Sequence, residues 1–380
     1  MCLVSAGVMA PSRLRRLIDA AGSPGAALGQ PPAALAEASG LEEYDVQRLV
    51  REANAETVRL AAARDLKARE THGIRLVTLN DPDYPPLLKA TPEPPLVLWA
   101  WGAFEPGDVL AASILGSSRC TDYGATQARR FAAAYADHGL TLVNSGEVGI
   151  DAQALDAAHD AGGRVVVALG AGLFAHGRPH HPLFERVVES GRGVVLSSVP
   201  TATPPDAVNQ VMADYLVTGL AIGLLVVEAG AQSGPMIAAR IAREQCRRDL
   251  FALPGRLDDA NSAGSLRLIA EGSARLALKP ADVLDPLIES AQQLAYRVIR
   301  SQPALRLHGR PAASRDPFQI PLDRKQRHVL GVLDRPATPE DLAEAAGLPL
   351  ADVRSALYRL ALGGTLTKST QRYAWVAGAS

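Results

Sequence analysis

Glycine and serine recur in short clusters through the middle of the chain: Gly116-Ser117-Ser118-Arg119, Ser145-Gly146, Gly170-Ala171-Gly172, Ser197-Ser198, Ser233-Gly234 and Pro254-Gly255. Small side chains let an anion approach backbone N–H groups, and hydroxyls add donors without bulk. The chemistry these residues suit is the holding of phosphate. One glycine-rich turn would be explained by the geometry of a tight strand-to-helix connection. Several together, each ending an apolar segment, describe a site. The expected contacts are Gly116, Ser117, Ser118, Arg119, Ser145, Gly146, Ser233 and Gly234, with Arg240 on the following helix as a cation.

Other chemistries find less support. The first turn is not G-x-G-x-x-G, and the next strand, Thr141-Leu142-Val143-Asn144, ends without an acid, so no dinucleotide cofactor is expected. There is no Walker sequence. Ser145 and Ser233 lie beside glycine but outside G-x-S-x-G. His180-His181 is the best metal candidate, yet adjacent histidines between Pro179 and Pro182 read as a solvent-facing loop. Asp151 reads as a helix N-terminal charge, His159 lies further along that helix, and Glu228 ends a strand as either a reactive or a structural acid. No catalytic residues, metal or cofactor are assigned. Arg240, Arg243, Arg247 and Arg248 cluster, and their spacing predicts the first three on one helical face.

The elements that would position the glycine-serine clusters alternate regularly. Apolar strands are expected at 109–115, 141–144, 164–169, 193–196, 221–228, 249–253 and 274–278, with helices at 123–137, 152–161, 183–190, 206–216, 235–246 and 265–271 between them. Strands apolar on both faces, separated by helices, imply a Rossmann-like, doubly wound, mostly parallel sheet covered on two sides. Ligands collect at the carboxyl ends of such strands, where the clusters fall. Upstream, helices are expected at 13–21, 22–28, 32–37 and 42–70, a small all-helical module of the SAM-like kind. The proline-rich DPDYPPLLKATPEPPLVLWAWG predicts edge strands and turns joining that module to the core. Downstream, Pro, Arg and Ser mark a linker, and the remainder has the order of a winged helix: helices from about 323 to 333, from Thr338-Pro339 and over 350–362, then a hairpin. The divisions are 1–71 (helical module), 72–288 (core), 289–320 (linker) and 321–380 (winged helix).

Composition restricts the partners. Lys plus Arg is 39 against 40 for Asp plus Glu, so a polyanion site must be local. The last 60 residues hold eight Lys or Arg against six Asp or Glu, too balanced to single out duplex DNA over protein. Three scattered cysteines fit a reducing cytoplasm, and the longest apolar run, 219–227, is too short to span a bilayer. The N-terminal charges follow the apolar residues, the reverse of a secretory signal.

The motif order DYPPLLKATPEPPLVLWAWG, GSSRCTDYG, SGEVGID, VVEAGAQSGPMIAARIAREQ, LFALPG and NSAGSLRLIAEGSARL resembles the DprA/Smf family of DNA-processing proteins over about 80–285. The resemblance implies a non-enzymatic cytoplasmic protein that binds single-stranded DNA through its Rossmann-like domain, protects incoming strands and loads RecA recombinase in natural transformation. It also implies a homodimer formed through that domain. Several expected cations are missing. Ser118 stands where members carry Arg, with Arg119 one place later; SGEVGID lacks the Arg before GID; and Ala213-Asp214-Tyr215 replaces an Arg-Asn-Arg stretch. Their loss predicts weakened DNA binding. Two other readings are a nucleotide phosphoribohydrolase of the lysine-decarboxylase-like class, whose P-G-G-x-G-T is Pro254-Gly255-Arg256-Leu257 here, and a degenerate protein-interaction scaffold.

Overall fold

A computed structural model describes residues 1–7, 9–175, 182–287, 324–333, 337–348, 353, 356, 357, 360, 366–369 and 372–375. The expected linker, most of the expected third C-terminal helix, and His180-His181 lie outside the described residues.

The centre is a nine-stranded sheet, β1 (Ile74–Thr78), β2 (Val97–Gly102), β3 (Ala111–Gly116), β4 (Thr141–Asn144), β5 (Val165–Leu169), β6 (Gly193–Ser197), β7 (Gly223–Glu228), β8 (Asp249–Ala252) and β9 (Arg275–Leu276), in the order β1-β2-β6-β5-β4-β3-β7-β8-β9. The seven strands from β6 to β9 in that order pair in parallel, while β1–β2 and β2–β6 are antiparallel. Every residue of β4 to β8 is buried except Asp249, as a sheet covered on both faces requires. The proline-rich segment forms β1, β2 and the short helix α7 (Pro86–Lys89), extending the sheet at its antiparallel edge; α1 to α6 are placed below.

Two apolar layers flank the sheet. Under α8 (Asp122–Asp137), α9 (Ile150–Asp160) and α10 (Pro182–Glu189) lie Phe131, Tyr135, Leu155 and Phe184; under α11 (Ala207–Leu220), α12 (Gly234–Ile241) and α13 (Ala263–Ala270) lie Leu216, Leu220, Ile241 and Leu268. Truncating one of the large buried side chains to alanine costs about 3–5 kcal/mol, so these layers set most of the core stability. The chain runs β3 to β6 in one direction, then crosses by α11 to β7 on the other side of β3. The topological switch point is therefore between β3 and β7.

At the opposite end of the sheet, Arg164 enters β5 with its side chain only 10% exposed. It holds Asp108 with two guanidinium bonds, Nε at 2.6 Å and Nη2 at 2.9 Å, and also donates to the carbonyls of Ala103 and Gly191.

The N-terminal helices α1 (Cys2–Ser5), α2 (Pro11–Ala21), α3 (Pro24–Gly29), α4 (Pro32–Ser39) and α5 (Glu43–Asn54) close on Leu14, Leu17, Leu35, Val46 and Leu49. The single helix expected over 42–70 is two. Ala55 takes φ −59°, ψ 138°, ending α5 and starting α6 (Glu56–His72). The break frees α6 to run against β1 and carry buried Asp65 to the sheet, where it accepts from the Trp99 indole N–H (2.5 Å) and the Thr201 amide (2.6 Å). Glu93 completes the attachment by accepting from the amide and hydroxyl of Ser12 in the first turn of α2.

Beyond the core, helices Arg324–Gly331 and Pro339–Ala346 precede a hairpin of β10 (Leu366–Ser369) and β11 (Arg372–Trp375). The second helix starts at the expected cap, a reciprocal pair between Thr338 and Asp341. Val353, Ala356, Leu357 and Leu360 are helical and buried at helical spacing.

Candidate nucleic-acid interface

Strand β3 ends at Gly116 and strand β7 at Glu228, and the Ser117 amide bonds the Glu228 carbonyl at 2.8 Å. In this position a doubly wound fold ordinarily offers a helix N-terminus to a phosphate. Here the protein supplies the anion itself. Glu228, 2% exposed, accepts from the Thr121 amide (2.9 Å) and the Thr121 hydroxyl (2.5 Å), and Thr121 caps α8 by accepting from the Gly124 amide. A Cβ on Gly124 would lie 2.3 Å from a Glu228 carboxylate oxygen, so glycine is required there. Both oxygens of the Glu228 carboxylate are engaged by Thr121, so Glu228 is not a free acid for sugar chemistry.

The end of β4 is also engaged internally. Asn144 donates to the Ile114 carbonyl and accepts from the Ser113 hydroxyl and the Ile114 amide, joining β3 to β4. Buried Ser145 donates to Asp151 at 2.9 Å, and the other Asp151 oxygen accepts from the Gly116 amide at 3.3 Å. Gly146, with φ of 75°, packs under Phe184 and Val167. Ser145 and Gly146 thus shape the strand ends from within. His159 is likewise buried, its Nε2 3.1 Å from the Ser190 hydroxyl. Burial raises the Asp151 carboxyl to about 7, the Ser145 and Gly116 bonds opposing the shift. Asp214 on α11 also rises to about 7, by burial first and then by the charges of Asp151 and Glu147.

This pair makes a pH-dependent prediction. Between the ordinary 3.8 and about 7 the folded chain holds more protons than the unfolded one, so stability falls as pH rises through about 7. Asp214→Asn removes one of the two penalties. The variant is expected to match the wild type only below about pH 4, to gain on it progressively as the pH rises, and to exceed it by on the order of 4 kcal/mol near about pH 8, as read by urea unfolding. A difference independent of pH would contradict the assignment.

Outward-facing groups come from the β3–α8 loop. Ser117 donates to Asn261 (3.3 Å) and accepts from the Arg119 amide (3.2 Å), while the Asn261 amide group holds the Arg119 carbonyl (3.1 Å). From the other side Ile150 donates to the Ser117 carbonyl, and Gly149, φ 90°, lets the backbones meet: a Cβ there would lie 2.3 Å from that carbonyl oxygen. The clamped loop exposes Ser118 and Arg119, whose side chains have no hydrogen bond or ion pair to any described residue. Asn261 was missed as a functional residue by sequence reasoning, although it sits in NSAGSLRL.

At the β7–α12 turn, Ser233 bonds back to the Gly230 carbonyl (2.9 Å), and Gly234 opens α12 in free space. Arg240 is exposed and lies about 9 Å further along the helix. It lines a cleft of about 280 Å³ between α12 and α13 with Arg243, Glu244, Arg267 and Glu271. The structure groups Gly116 to Arg119 with the β4 end, and places Ser233-Gly234 at the start of α12 and Arg240 near its end. The expected common face of Arg240, Arg243 and Arg247 does not form. The α-helix ends at Ile241, a π turn spans Ala242–Cys246, and Arg247 leaves in a left-handed conformation with φ of 52°. Arg248 turns inward onto the carbonyls of Leu87, Thr218 and Gly219. Among the described residues, no group of three or more His, Cys, Asp or Glu could hold a metal, and no helix is long and apolar enough to cross a membrane.

Residues 75–287 match the family model for DNA recombination-mediator protein A. The Smf protein of Escherichia coli is 32% identical over 295 residues, covering 76% of this chain and 74% of its own. The X-ray structure of DNA processing protein A from Streptococcus pneumoniae superposes with a TM-score of 0.60 at 24% identity, covering 75% of this chain and 95% of that one. DNA processing protein A from Helicobacter pylori, whose structure describes a single-stranded DNA binding mode, aligns with a TM-score of 0.50 at 24% identity over 57% of this chain and 96% of that one.

Proposed function

The chain belongs to the DNA recombination-mediator protein A family, and from that membership we propose that it binds single-stranded DNA at the carboxyl ends of its parallel strands and passes the strand to the RecA recombinase. The observation that carries the reading is the clamped loop with its unpaired Ser118 and Arg119. A hydroxyl, a guanidinium and neighbouring amides, fixed by Asn261 and Gly149, can hold backbone phosphates without reading sequence. A related protein from Helicobacter pylori has a described single-stranded DNA binding mode, which supports the same ligand here. With Glu228 seated at α8, the strand lies over the loop rather than inside the crevice.

Affinity is modest in this reading, because Arg119 is the one cation of the clamped loop and Asp214 stands where the family pattern has Asn between two arginines. The chain acts as a homodimer through the Rossmann-like domain, and turnover is not part of its role. Titrating labelled oligo-dT at low and moderate salt tests the reading. Arg119→Ala is expected to weaken binding about tenfold and to flatten the slope of log affinity against log salt by about 0.7, one phosphate contact on a single strand. No binding by the wild type even at low salt would overturn the proposal.

A further inference from the structure

Two apolar side chains stand in solvent beside the clamped loop: Tyr123 is 47% exposed and Leu257 is 93% exposed. Single surface leucines are ordinary, but here a hydrogen bond ties the helix that carries Tyr123 to the loop that carries Leu257. Tyr123 lies in the first turn of α8, four residues after Arg119, and its hydroxyl donates to the Pro254 carbonyl at 3.2 Å. Pro254 begins the loop that carries Leu257. The ring is thereby fixed against that loop. On either side of Leu257, Arg256 and Asp258 neutralise each other through two bonds, at 2.9 and 2.7 Å, leaving an apolar tip between paired charges. The same segment that carries Leu257 ends in Asn261, whose amide group holds the Arg119 carbonyl, so both apolar side chains stand on the elements that fix the Ser118-Arg119 loop. An unpaired nucleotide offers the matching combination, a phosphate linked to a flat apolar base. A duplex keeps its base faces stacked away and offers this surface only phosphate.

We propose that Tyr123 and Leu257 form a shelf on which unpaired bases rest while the Ser118-Arg119 loop holds the backbone, so that this site selects single strands by the exposure of their bases and not by their sequence. The inference rests on the single-stranded DNA reading above and extends it from phosphate to base.

Three probes separate the two levels: labelled oligo-dT, an abasic strand of the same length and a blunt duplex. The wild type is expected to prefer oligo-dT to both others. Tyr123→Ala should lose about tenfold on oligo-dT, leave the abasic strand unchanged and keep the wild-type salt slope, because no phosphate contact is removed. Tyr123→Phe, which keeps the ring and loses the Pro254 bond, should retain most of the binding. Leu257→Ser, at a position where folding is not at stake, should weaken oligo-dT alone by about threefold. Unaltered oligo-dT binding by both Tyr123→Ala and Leu257→Ser, or equal losses on oligo-dT and the abasic strand, would overturn the shelf and leave the single-stranded DNA reading standing. Failure of the wild type to bind either strand at low salt would remove that reading and the shelf with it.

Discussion

Glu228→Ala is expected to lower the unfolding free energy by about 3 kcal/mol and to create a binding site for inorganic phosphate or sulfate that the wild type lacks. The carboxylate is 2% exposed and receives two bonds from Thr121 at the start of α8. Its removal leaves the half-buried Thr121 amide and hydroxyl without that acceptor, each costing on the order of 1 kcal/mol. It also withdraws a negative charge from the positive end of the helix dipole. The space vacated is that of a carboxylate among donors, so a small oxyanion should restore part of the lost stability by mass action. Urea unfolding with and without sulfate, at constant ionic strength, measures both effects. A cost below about 1 kcal/mol, or equal responses of variant and wild type to sulfate, would show that the carboxylate does not substitute for a bound anion.

Arg164→Ala should cost about 3–5 kcal/mol while leaving oligo-dT affinity unchanged under conditions where the variant is folded. The guanidinium makes two bonds to Asp108, and Asp108 is itself only 9% exposed. Deleting the cation strands a buried carboxylate and frees the carbonyls of Ala103 and Gly191. Replacing both partners, as Arg164→Met with Asp108→Leu, should recover part of the loss, since no unpaired charge then remains. The pair sits at the amino ends of the strands, away from the clamped loop. A loss of DNA affinity in the folded single variant would therefore contradict the location of the site. Denaturant midpoints and oligo-dT titrations supply the two readouts.

Much of the architecture was legible because it follows local rules. Strands apolar on both faces, such as Val165–Leu169, can only be interior, and the alternation of strand and helix sets the layers. The break at Ala55 was not legible, since nothing in EANAETV forbids a continuous helix. It is set by where α6 must go to bring Asp65 to Trp99. The strand ends that form the candidate site were legible as places in the fold, the roles of their side chains less so. A serine beside a glycine reads the same whether its hydroxyl faces a ligand or Asp151, and only the fold shows Ser145 turned inward while Ser118 faces out. Glu228 reads in sequence as an acid ending a strand, and its partner Thr121 lies 107 residues away. Asn261 lies 144 residues from the serine it holds. The left-handed turn at Arg247 ended a face that spacing alone had predicted.

Those long separations have a consequence for the order in which the protein can be made. The clamped loop leaves the ribosome early, with residues 117–119, yet the side chains that fix it arrive only with Glu228 and Asn261. Contacts this distant form late, after the intervening strands have closed their own shorter loops. A nascent chain halted anywhere before residue 261 therefore carries Ser118 and Arg119 without the shape that presents them. The shape of the loop is acquired close to the completion of the sheet, so under the proposed function a partly synthesised copy does not compete with finished ones for DNA.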